Sequence, residues 1–351
     1  MSHKKKVLFC TMGRVGGASK MVITISKLLD PEKYDICYVV IDQQVQEIAN
    51  FFPENARVIH LKIRNSWDFL TLKLLWIIKK EHADYIFSSL APINVRVIVA
   101  GKISGIRPIV RSNNNWAFFS RFYQFLMKLT YPKAYKVIMQ QEDMYADYIN
   151  EIPQCKDNMV TLHNIPDYAT IDKNKVEQSP YITDNEIRYV WMGRIIYTKG
   201  FDVILRAFNK VSQKINNAHL YLLGKINESD EYYNSLIKYV NSHNLSEKVH
   251  FVGLQKNPHK WIANADCFVL PSRVEGLPNS LIEAMYIGKP VVSTLCLPII
   301  RRMVKDGYNG YTVNVDDHEE LANAMVKALE LKNFTMIYKS SKAEDFIRLF
   351  E

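Results

Sequence analysis

The chain has 351 residues, of which 48% are hydrophobic, and its 45 lysines and arginines against 36 acidic residues give a formal net charge of +9. This length is more than one hydrophobic core usually serves, so two domains are expected. The five scattered cysteines form no C-x-x-C pair, which excludes a disulfide framework and a zinc site and favours a reduced, cytoplasmic protein. No apolar run is long enough to span a bilayer.

Short β-rich segments alternate with segments of helical spacing along the whole chain. The helical spacing is clearest over Ser19–Leu29 and Phe69–Lys80. Alternation of this kind predicts an α/β fold with parallel sheets and helices on both faces. The predicted strands are Val7–Cys10, Ile36–Ile41, Val58–Leu61, Tyr85–Phe87, Ile109–Arg111, Val137–Met139, Val160–Leu162, Tyr189–Met192, Leu220–Leu223, Val249–Val252, Cys267–Leu270 and Val291–Ser293.

A polar segment interrupts this alternation near the middle of the chain. It runs from Asp172 to Glu186 and contains the pair Ser179-Pro180, which is typical of a linker. We therefore expect a first Rossmann-like domain over residues 1–171, a linker over 172–187, a second Rossmann-like domain over 188–335 and a short C-terminal tail or helix over 336–351.

Two cations follow the first strand of the second domain. Arg194 and Lys199 lie between Gly193 and Gly200, directly after an apolar run. Free backbone N–H groups and the positive end of a helix dipole converge where a strand leads into a helix. Arginine as a fork and lysine as a point charge suit a diphosphate at such a junction. The alternative is that both are solvated surface cations.

Two carboxylates follow a later strand in the E-x7-E segment that joins Glu275 to Glu283. A helix is predicted to begin near Pro278–Ser280 and to end at Gly288, which places Glu283 about one turn inside it. Carboxylates accept hydrogen bonds from the hydroxyls of ribose or of a hexose. Ligands of such sheets bind beyond the carboxyl ends of the strands. We therefore expect these two carboxylates and the two cations to line one nucleotide-sugar pocket. The alternative is that Glu283 is an ordinary helix residue.

These motifs resemble those of family 4 glycosyltransferases, also called glycosyl transferases group 1. Gly193-Arg194 followed by Lys199–Phe208 is similar to the opening of that family's donor domain, and Pro271–Met285 followed by Gly288–Val292 is similar to its E-x7-E segment. The resemblance covers residues 188–330 and implies the GT-B fold, in which two Rossmann-like domains face a central cleft. It further implies retaining transfer of a hexose or N-acetylhexosamine from a nucleotide-sugar, a UDP-sugar by family frequency, with no cofactor and no essential metal.

The resemblance also implies a role for each residue. Arg194 and Lys199 would stabilise the departing diphosphate, Glu275 would hold hydroxyls of the transferred sugar, and Glu283 would hold those of the ribose. The expected catalytic residues are Arg194, Lys199 and Glu275. The expected donor-binding residues add Gly16, Gly17, Gly193, Gly224, Gly276, Asn279, Ser280, Leu281 and Glu283.

The chain departs from the family pattern in two places. After Val292 relatives usually carry a glycine pair and then a glutamate, whereas Ser293–Arg302 contains no acid, which could alter donor choice. Many relatives place a histidine near the sugar in the first domain, but the corresponding region here has none. We expect His163, at the end of the last first-domain strand, to serve packing rather than catalysis.

One basic, aromatic segment has no counterpart in the resemblance. Every charged residue from Tyr85 to Gln141 is a cation, and Leu129 shares a helical stripe with aromatic residues. Such a helix can lie in the headgroup region of an anionic membrane, where a lipid-linked acceptor is found. The alternative is that the aromatics are core and the cations form a solvated face. The expected membrane or acceptor surface comprises Arg111, Trp116, Phe118, Arg121, Phe122, Phe125 and Lys128.

Two other functions compete with the transferase. The net charge and the interleaved cations and aromatics could indicate a single-stranded nucleic-acid binder, but no RNP, KH or zinc-finger signature occurs and no nucleic acid is expected as a partner. A GT-B sugar-nucleotide epimerase or a phosphorylase-like enzyme is the alternative among enzymes. The expected setting is bacterial cell-envelope polysaccharide or lipopolysaccharide biosynthesis, at the inner face of the cytoplasmic membrane.

Overall fold

A computed structural model of the chain describes residues 4–13, 16–41, 48, 51–62, 70–181, 185–332 and 334–351. The chain forms two compact units. The first comprises the residues up to Ile165 together with Lys339–Glu351, and the second comprises Pro166–Tyr338. Across the described ranges, no helix has both the length and the apolar character needed to cross a membrane.

The first unit is built on a parallel sheet of seven described strands in the order β3-β2-β1-β4-β5-β6-β7. Residues 7–10 of its central strand are fully buried, as expected for a parallel sheet covered on both faces. The strands are β1 (Lys5–Thr11), β2 (Tyr34–Ile41), β3 (Arg57–Leu61), β4 (Tyr85–Ser88), β5 (Arg107–Arg111), β6 (Lys136–Met139) and β7 (Met159–Thr161). The described helices are α1 (Gly17–Lys27), α2 (Leu70–Glu81), α3 (Ala91–Ile103), α4 (Arg121–Thr130) and α5 (Glu142–Glu151). Phe69, predicted to start the second of these helices, lies outside the described residues.

The second unit contains a parallel sheet of six described strands in the order β10-β9-β8-β11-β12-β13. The chain runs outward from β8 through β9 to β10 and then returns to the other side of β8, so β8 and β11 flank a topological switch point. The strands are β8 (Ile187–Met192), β9 (Ala218–Leu223), β10 (Val249–Gly253), β11 (Cys267–Leu270), β12 (Val291–Thr294) and β13 (Gly310–Val313). The helices are α6 (Tyr168–Lys175), α7 (Phe201–Lys214), α8 (Glu231–Ser242), α9 (His259–Ala263), α10 (Asn279–Ile287), α11 (Ile300–Met303) and α12 (His318–Ala328).

The two parallel-sheet α/β units confirm the predicted fold class, and each predicted strand has a counterpart that matches it within about three residues at either end. Apolar, β-branched runs locate these strands because both faces of a parallel sheet are buried.

The segment predicted as a linker is in part a helix of the second unit. Asp167 caps α6 by accepting a hydrogen bond from the Thr170 N–H at 3.1 Å. Tyr286 of α10 donates to Asp172 of α6 at 2.9 Å. Sequence patterning missed α6 because Ile171 is its one buried residue, which leaves no apolar stripe to recognise.

The C-terminal tail belongs to the core of the first unit. It contains the short helix α13 (Ala343–Ile347). Phe350 is fully buried, and its ring contacts those of Phe9, Tyr85 and Phe87. The backbone N–H of His163 donates to the Ser341 hydroxyl at 2.8 Å, and its ring Nδ1 lies 3.2 Å from the Lys339 carbonyl oxygen, so His163 contacts the tail.

Candidate active site

The expected site residues of the second unit lie where its central strands end. Gly193 and Arg194 follow β8, Gly224 follows β9, and residues 271–276 follow β11. Because β8 and β11 are paired in parallel, the loops after them leave the same edge of the sheet side by side. This edge is the switch point at which sheets of this kind bind ligands.

A glycine follows each of the strands β8 and β9, namely Gly193 and Gly224. The Gly193 N–H donates to the Leu223 carbonyl at 2.9 Å. A Cβ on Gly224 would overlap the carbonyl oxygen of Gly193. The backbones of the two loops therefore pack directly against each other, which leaves no space for a side chain at Gly224.

Gly200 brings the loop after β8 into contact with the loop after β11. Its φ is +68°, and a Cβ on it would overlap the carbonyl oxygen of Pro271. A glycine is needed on both grounds, since the left-handed conformation and the close approach each disfavour a side chain. The N–H groups of Arg273 and Val274 donate to the Thr198 carbonyl at 2.8 and 3.2 Å, which closes the contact between the loops.

This contact pairs a predicted cation with a predicted carboxylate. Lys199 Nζ lies 2.5 Å from Glu275 Oε2, and the two side chains are 15% and 10% exposed. The other carboxylate oxygen, Oε1, accepts a hydrogen bond from the Ser272 hydroxyl at 2.7 Å. Both oxygens of Glu275 are thus engaged, while the ammonium of Lys199 keeps further N–H donors for an anionic ligand.

Arg194 stands in a different environment. Its side chain is exposed, and within the described part of the chain its guanidinium has no hydrogen-bond or ion-pair partner. Its planar fork is therefore available to a phosphate group. In the same part of the chain, no three potential metal ligands come together.

An ion-pair network that sequence reasoning missed holds the two loops together. The Arg273 guanidinium donates to both oxygens of Asp202 at 2.8 and 2.7 Å and to the Tyr197 carbonyl at 2.7 Å. It also lies 2.7 Å from Asp316. Burial alone would raise the pKa of Asp202, but hydrogen bonds from Arg273 and from Tyr232 hold it below its usual range. Both Arg273 and Asp202 fall inside the recognised motifs, so their opposite charges were the available signal.

The helix that carries Glu283 begins at Asn279 and ends before Gly288, as predicted. Glu283 lies in its second turn, with Oε2 3.4 Å from Nε2 of His259. Asn279 and Ser280 form the half-buried first turn. Leu281 does not fit the expected donor-binding role, because its side chain is fully buried in the core and its N–H donates to the Pro278 carbonyl.

The loop after β12 contains Cys296 and lacks the acid that the family pattern has in this loop. The Thr294 hydroxyl donates to the Ser272 carbonyl and ties this loop to the one that carries Glu275. Burial, together with the nearby charge of Glu275, raises the pKa of Cys296 to about 12. The loop therefore carries a protonated thiol and no carboxylate.

Gly16 and Gly17 lie in the first unit, at the amino end of α1. A Cβ on Gly16 would meet no atom within 4 Å, so packing does not require a glycine there. Their predicted part in donor binding stays a prediction.

Two residues of the expected membrane or acceptor surface are not on the surface. Arg111 is 1% exposed and donates to side-chain oxygens of Ser89, Asn113 and Asn164. Trp116 is 7% exposed and packs edge-on against a tyrosine. Strand β5 buries the arginine, and two of its acceptors, Ser89 and Asn164, lie far from it in the sequence, so its sequence neighbours do not reveal its burial. The remaining residues of that set are exposed, namely Phe118, Arg121, Phe122, Phe125 and Lys128.

Comparison with known proteins agrees with this geometry. Residues 172–345 match the family described as glycosyl transferases group 1. The chain is 29% identical over 328 residues to an uncharacterized glycosyltransferase of Methanocaldococcus jannaschii, covering 84% of this chain and 76% of that protein. It is 22% identical to the UDP-Gal:alpha-D-GlcNAc-diphosphoundecaprenol alpha-1,3-galactosyltransferase of Escherichia coli, covering 94% and 89%. Anabaena HepE, solved with UDP and glucose, has the same fold, with a TM-score of 0.76, 18% identity and coverage of 93% and 90%.

Removing the charge of Asp202 tests the network at Arg273. We expect Asp202→Asn to lower the free energy of unfolding by about 2 kcal/mol, less than the ~3–5 kcal/mol lost when a fully buried pair is broken, because Asp202 is partly exposed. Glu319→Gln is the matched control. It breaks the exposed pair of Glu319 on α12 with Lys210, which lies on α7 as Asp202 does, and it should cost at most about 0.5 kcal/mol. Chemical denaturation of both variants makes the comparison, and equal losses would contradict a bracing role.

Proposed function

We propose that this chain, a glycosyltransferase whose residues 172–345 belong to the glycosyl transferases group 1 family, moves a hexose or N-acetylhexosamine from a UDP-sugar to a lipid-linked glycan with retention of anomeric configuration. The observation that carries the proposal is the Lys199–Glu275 pair, with the exposed Arg194 on the same loop as Lys199, at the switch point of the second sheet. The activities of relatives support these substrates, since the Escherichia coli enzyme is named for UDP-Gal and a diphosphoundecaprenol-linked acceptor.

The diphosphate of the donor is proposed to bind at the loop after β8. Negative charge grows on the β-phosphate as the bond to the sugar breaks, and Arg194 and Lys199 offer fixed positive charge there. Glu275 and the contact at Gly200 hold Lys199 in place before the substrate arrives. Little reorganisation is then needed when the charge develops, which is the condition for electrostatic catalysis.

Retention is supported by the state of the carboxylates at this edge. Both oxygens of Glu275 are engaged, and Glu283 faces His259, so neither is poised as a free base or nucleophile. The proposed step breaks the bond from the anomeric carbon to the phosphate oxygen and forms the bond to the acceptor oxygen on the same face. The proton of the acceptor hydroxyl passes to the departing phosphate.

The acceptor is proposed to be reached at an anionic membrane surface. An apolar stripe on α4 and the turn before it is exposed, with Phe122 72% exposed. Arg121 lies beside the stripe and is also exposed, whereas the charge of Lys128 is matched by Glu151 at 2.9 Å. Apolar side chains that enter the headgroup region, flanked by cations, suit an anionic bilayer. The exposed stripe comprises Phe118, Phe122, Phe125 and Leu129.

Nucleotide binding tests the donor site. Among UDP, GDP, ADP and dTDP, we expect UDP to raise the thermal stability most, by about 2.7 kcal/mol at 100-fold excess over Kd, because it binds only the folded state. Arg194→Ala and Glu283→Ala should abolish this shift. Arg206→Ala and Glu319→Ala, which change exposed residues of the same types in the same unit, are the controls and should keep it. No shift with any nucleotide, or an equal loss in the controls, would contradict the donor site.

Product analysis tests the reaction. We expect Lys199→Ala to lower kcat by about 10²–10³, as the loss of one group that stabilises developing charge typically does. Lys210→Ala, at an exposed lysine, should have little effect. With a UDP-sugar and a diphosphoundecaprenol-linked acceptor, proton NMR of the product should show the α-anomer. A β-anomer would exclude retention, and conversion of the donor without an acceptor would indicate an epimerase.

Vesicle flotation tests the membrane surface. We expect the chain to float with vesicles that contain phosphatidylglycerol and to dissociate at high salt, because screening weakens attraction to the anionic surface. Phe122→Ser together with Phe125→Ser should abolish flotation, whereas Val176→Ser at an equally exposed position of the second unit should not. No flotation of the unsubstituted chain, or association of its copies through these phenylalanines, would contradict membrane docking.

A further inference from the structure

His259 lies between the carboxylate proposed to bind the ribose and helix α6. Its Nε2 is 3.4 Å from Glu283 Oε2, and its Nδ1 is 3.3 Å from Nδ2 of Asn174. The side chains of His259 and Glu283 are 9% and 15% exposed. Asn174 of α6, His259 of α9 and Glu283 of α10 thus lie in succession, each next to the following one.

The amide of Asn174 determines which ring nitrogen of His259 carries the proton. An amide NH₂ group can only donate, so Nδ1 of His259 accepts and the proton of the neutral ring lies on Nε2, which faces Glu283. Asn257 fixes this end of α6, because its amide donates to the Asn174 carbonyl at 2.9 Å. The imidazole is therefore oriented through its Nδ1, with Nε2 facing the carboxylate.

The carboxylate still has room for a ligand. Among the described residues, Glu283 Oε2 and His259 Nε2 are buried atoms without a hydrogen-bond partner, although they lie close to each other. The ring of His259 closes off Oε2, so the oxygen left for a ligand is Oε1 of the 15% exposed side chain, and a group that donates to Oε1 gains a hydrogen bond to a charged acceptor. The 2′ and 3′ hydroxyls of a ribose are two such donors on adjacent carbons.

We propose that His259 is a positioning residue for nucleotide recognition: oriented by Asn174, its ring holds the Glu283 carboxylate where it accepts hydrogen bonds from the ribose hydroxyls. The inference rests on the proposed function, in which Glu283 binds the ribose. Because the histidine acts through Glu283, its loss weakens binding of the nucleotide and raises KM for the donor while kcat changes little. It also weakens discrimination between a ribose and a 2′-deoxyribose.

The ratio of the affinities for UDP and for 2′-deoxy-UDP measures this role directly, by titration calorimetry. We expect the unsubstituted chain to prefer UDP by about ten-fold or more, the size of one hydrogen bond to a charged group. His259→Phe, which keeps a ring but has no N–H, should bring the ratio close to one. His259→Gln, whose amide can place a donor near the position of Nε2, should retain most of the preference. In a Glu283→Gln chain, His259→Phe should cause no further loss.

A control variant and the contrary outcomes separate positioning from packing. Tyr286→Phe removes the hydrogen bond between α10 and α6 without touching His259, and it should leave the ratio unchanged. An unchanged ratio in His259→Phe, or equal losses in the Phe and Gln variants with a matching fall in thermal stability, would overturn the inference alone. No UDP binding by the unsubstituted chain, or an unchanged ratio in Glu283→Gln, would overturn the proposed role of Glu283 and the inference with it.

Discussion

The close approach of Gly200 to the carbonyl oxygen of Pro271 is the constraint on which the candidate site depends. Any side chain at position 200 would force apart the loops that follow β8 and β11. Lys199 and Glu275 would then lose the 2.5 Å contact that joins the two loops. The bidentate pair between Arg273 and Asp202 ties the same loops together from outside the site. The backbone contact at Gly200 thus sets the spacing of the two loops, and the ion pair between Arg273 and Asp202 maintains it.

The charges at this edge of the sheet compensate one another before any ligand arrives. Taking an ammonium out of water costs several kcal/mol unless a carboxylate accompanies it, and Glu275 accompanies Lys199. The pair keeps a nearly buried cation in place and leaves its remaining donors for phosphate oxygens. Arg194 needs no such partner because it is exposed. The proposed diphosphate site therefore combines one preorganised cation with one that can reach toward the ligand.

Sequence patterns located the sheets and the charged residues of the site, but not the contacts that arrange them. The strands are apolar on both faces, so their residues identify them without reference to any other part of the chain. Arg194, Lys199, Glu275 and Glu283 stand at positions that topology brings to one edge, which motif spacing reveals. Asp202 and Arg273 lie 71 positions apart in the sequence, and no local pattern shows that the two side chains pair.

The sequence also did not predict the burial of Arg111 or the packing of the short helix α6. The sequence places Arg111 on the surface, but the arginine is buried because Ser89 and Asn164, which lie far from it in the sequence, supply acceptor oxygens. The second half of helix α6, residues 172–175, falls in the predicted linker because the helix has one buried residue and no apolar stripe. Asn174 on that helix meets His259 on α9, and His259 meets Glu283, only once α6 packs against α9 and α10.

The position of UDP in a crystal of the complex tests most directly whether the donor binds at the carboxyl edge of the second sheet. We expect the two phosphorus atoms to lie at the loop over residues 193–200, within reach of Arg194 and Lys199, with the ribose hydroxyls at Glu283. UDP bound at the opposite edge of the sheet, where Asp266 and Lys289 line a pocket, would contradict the proposed donor site.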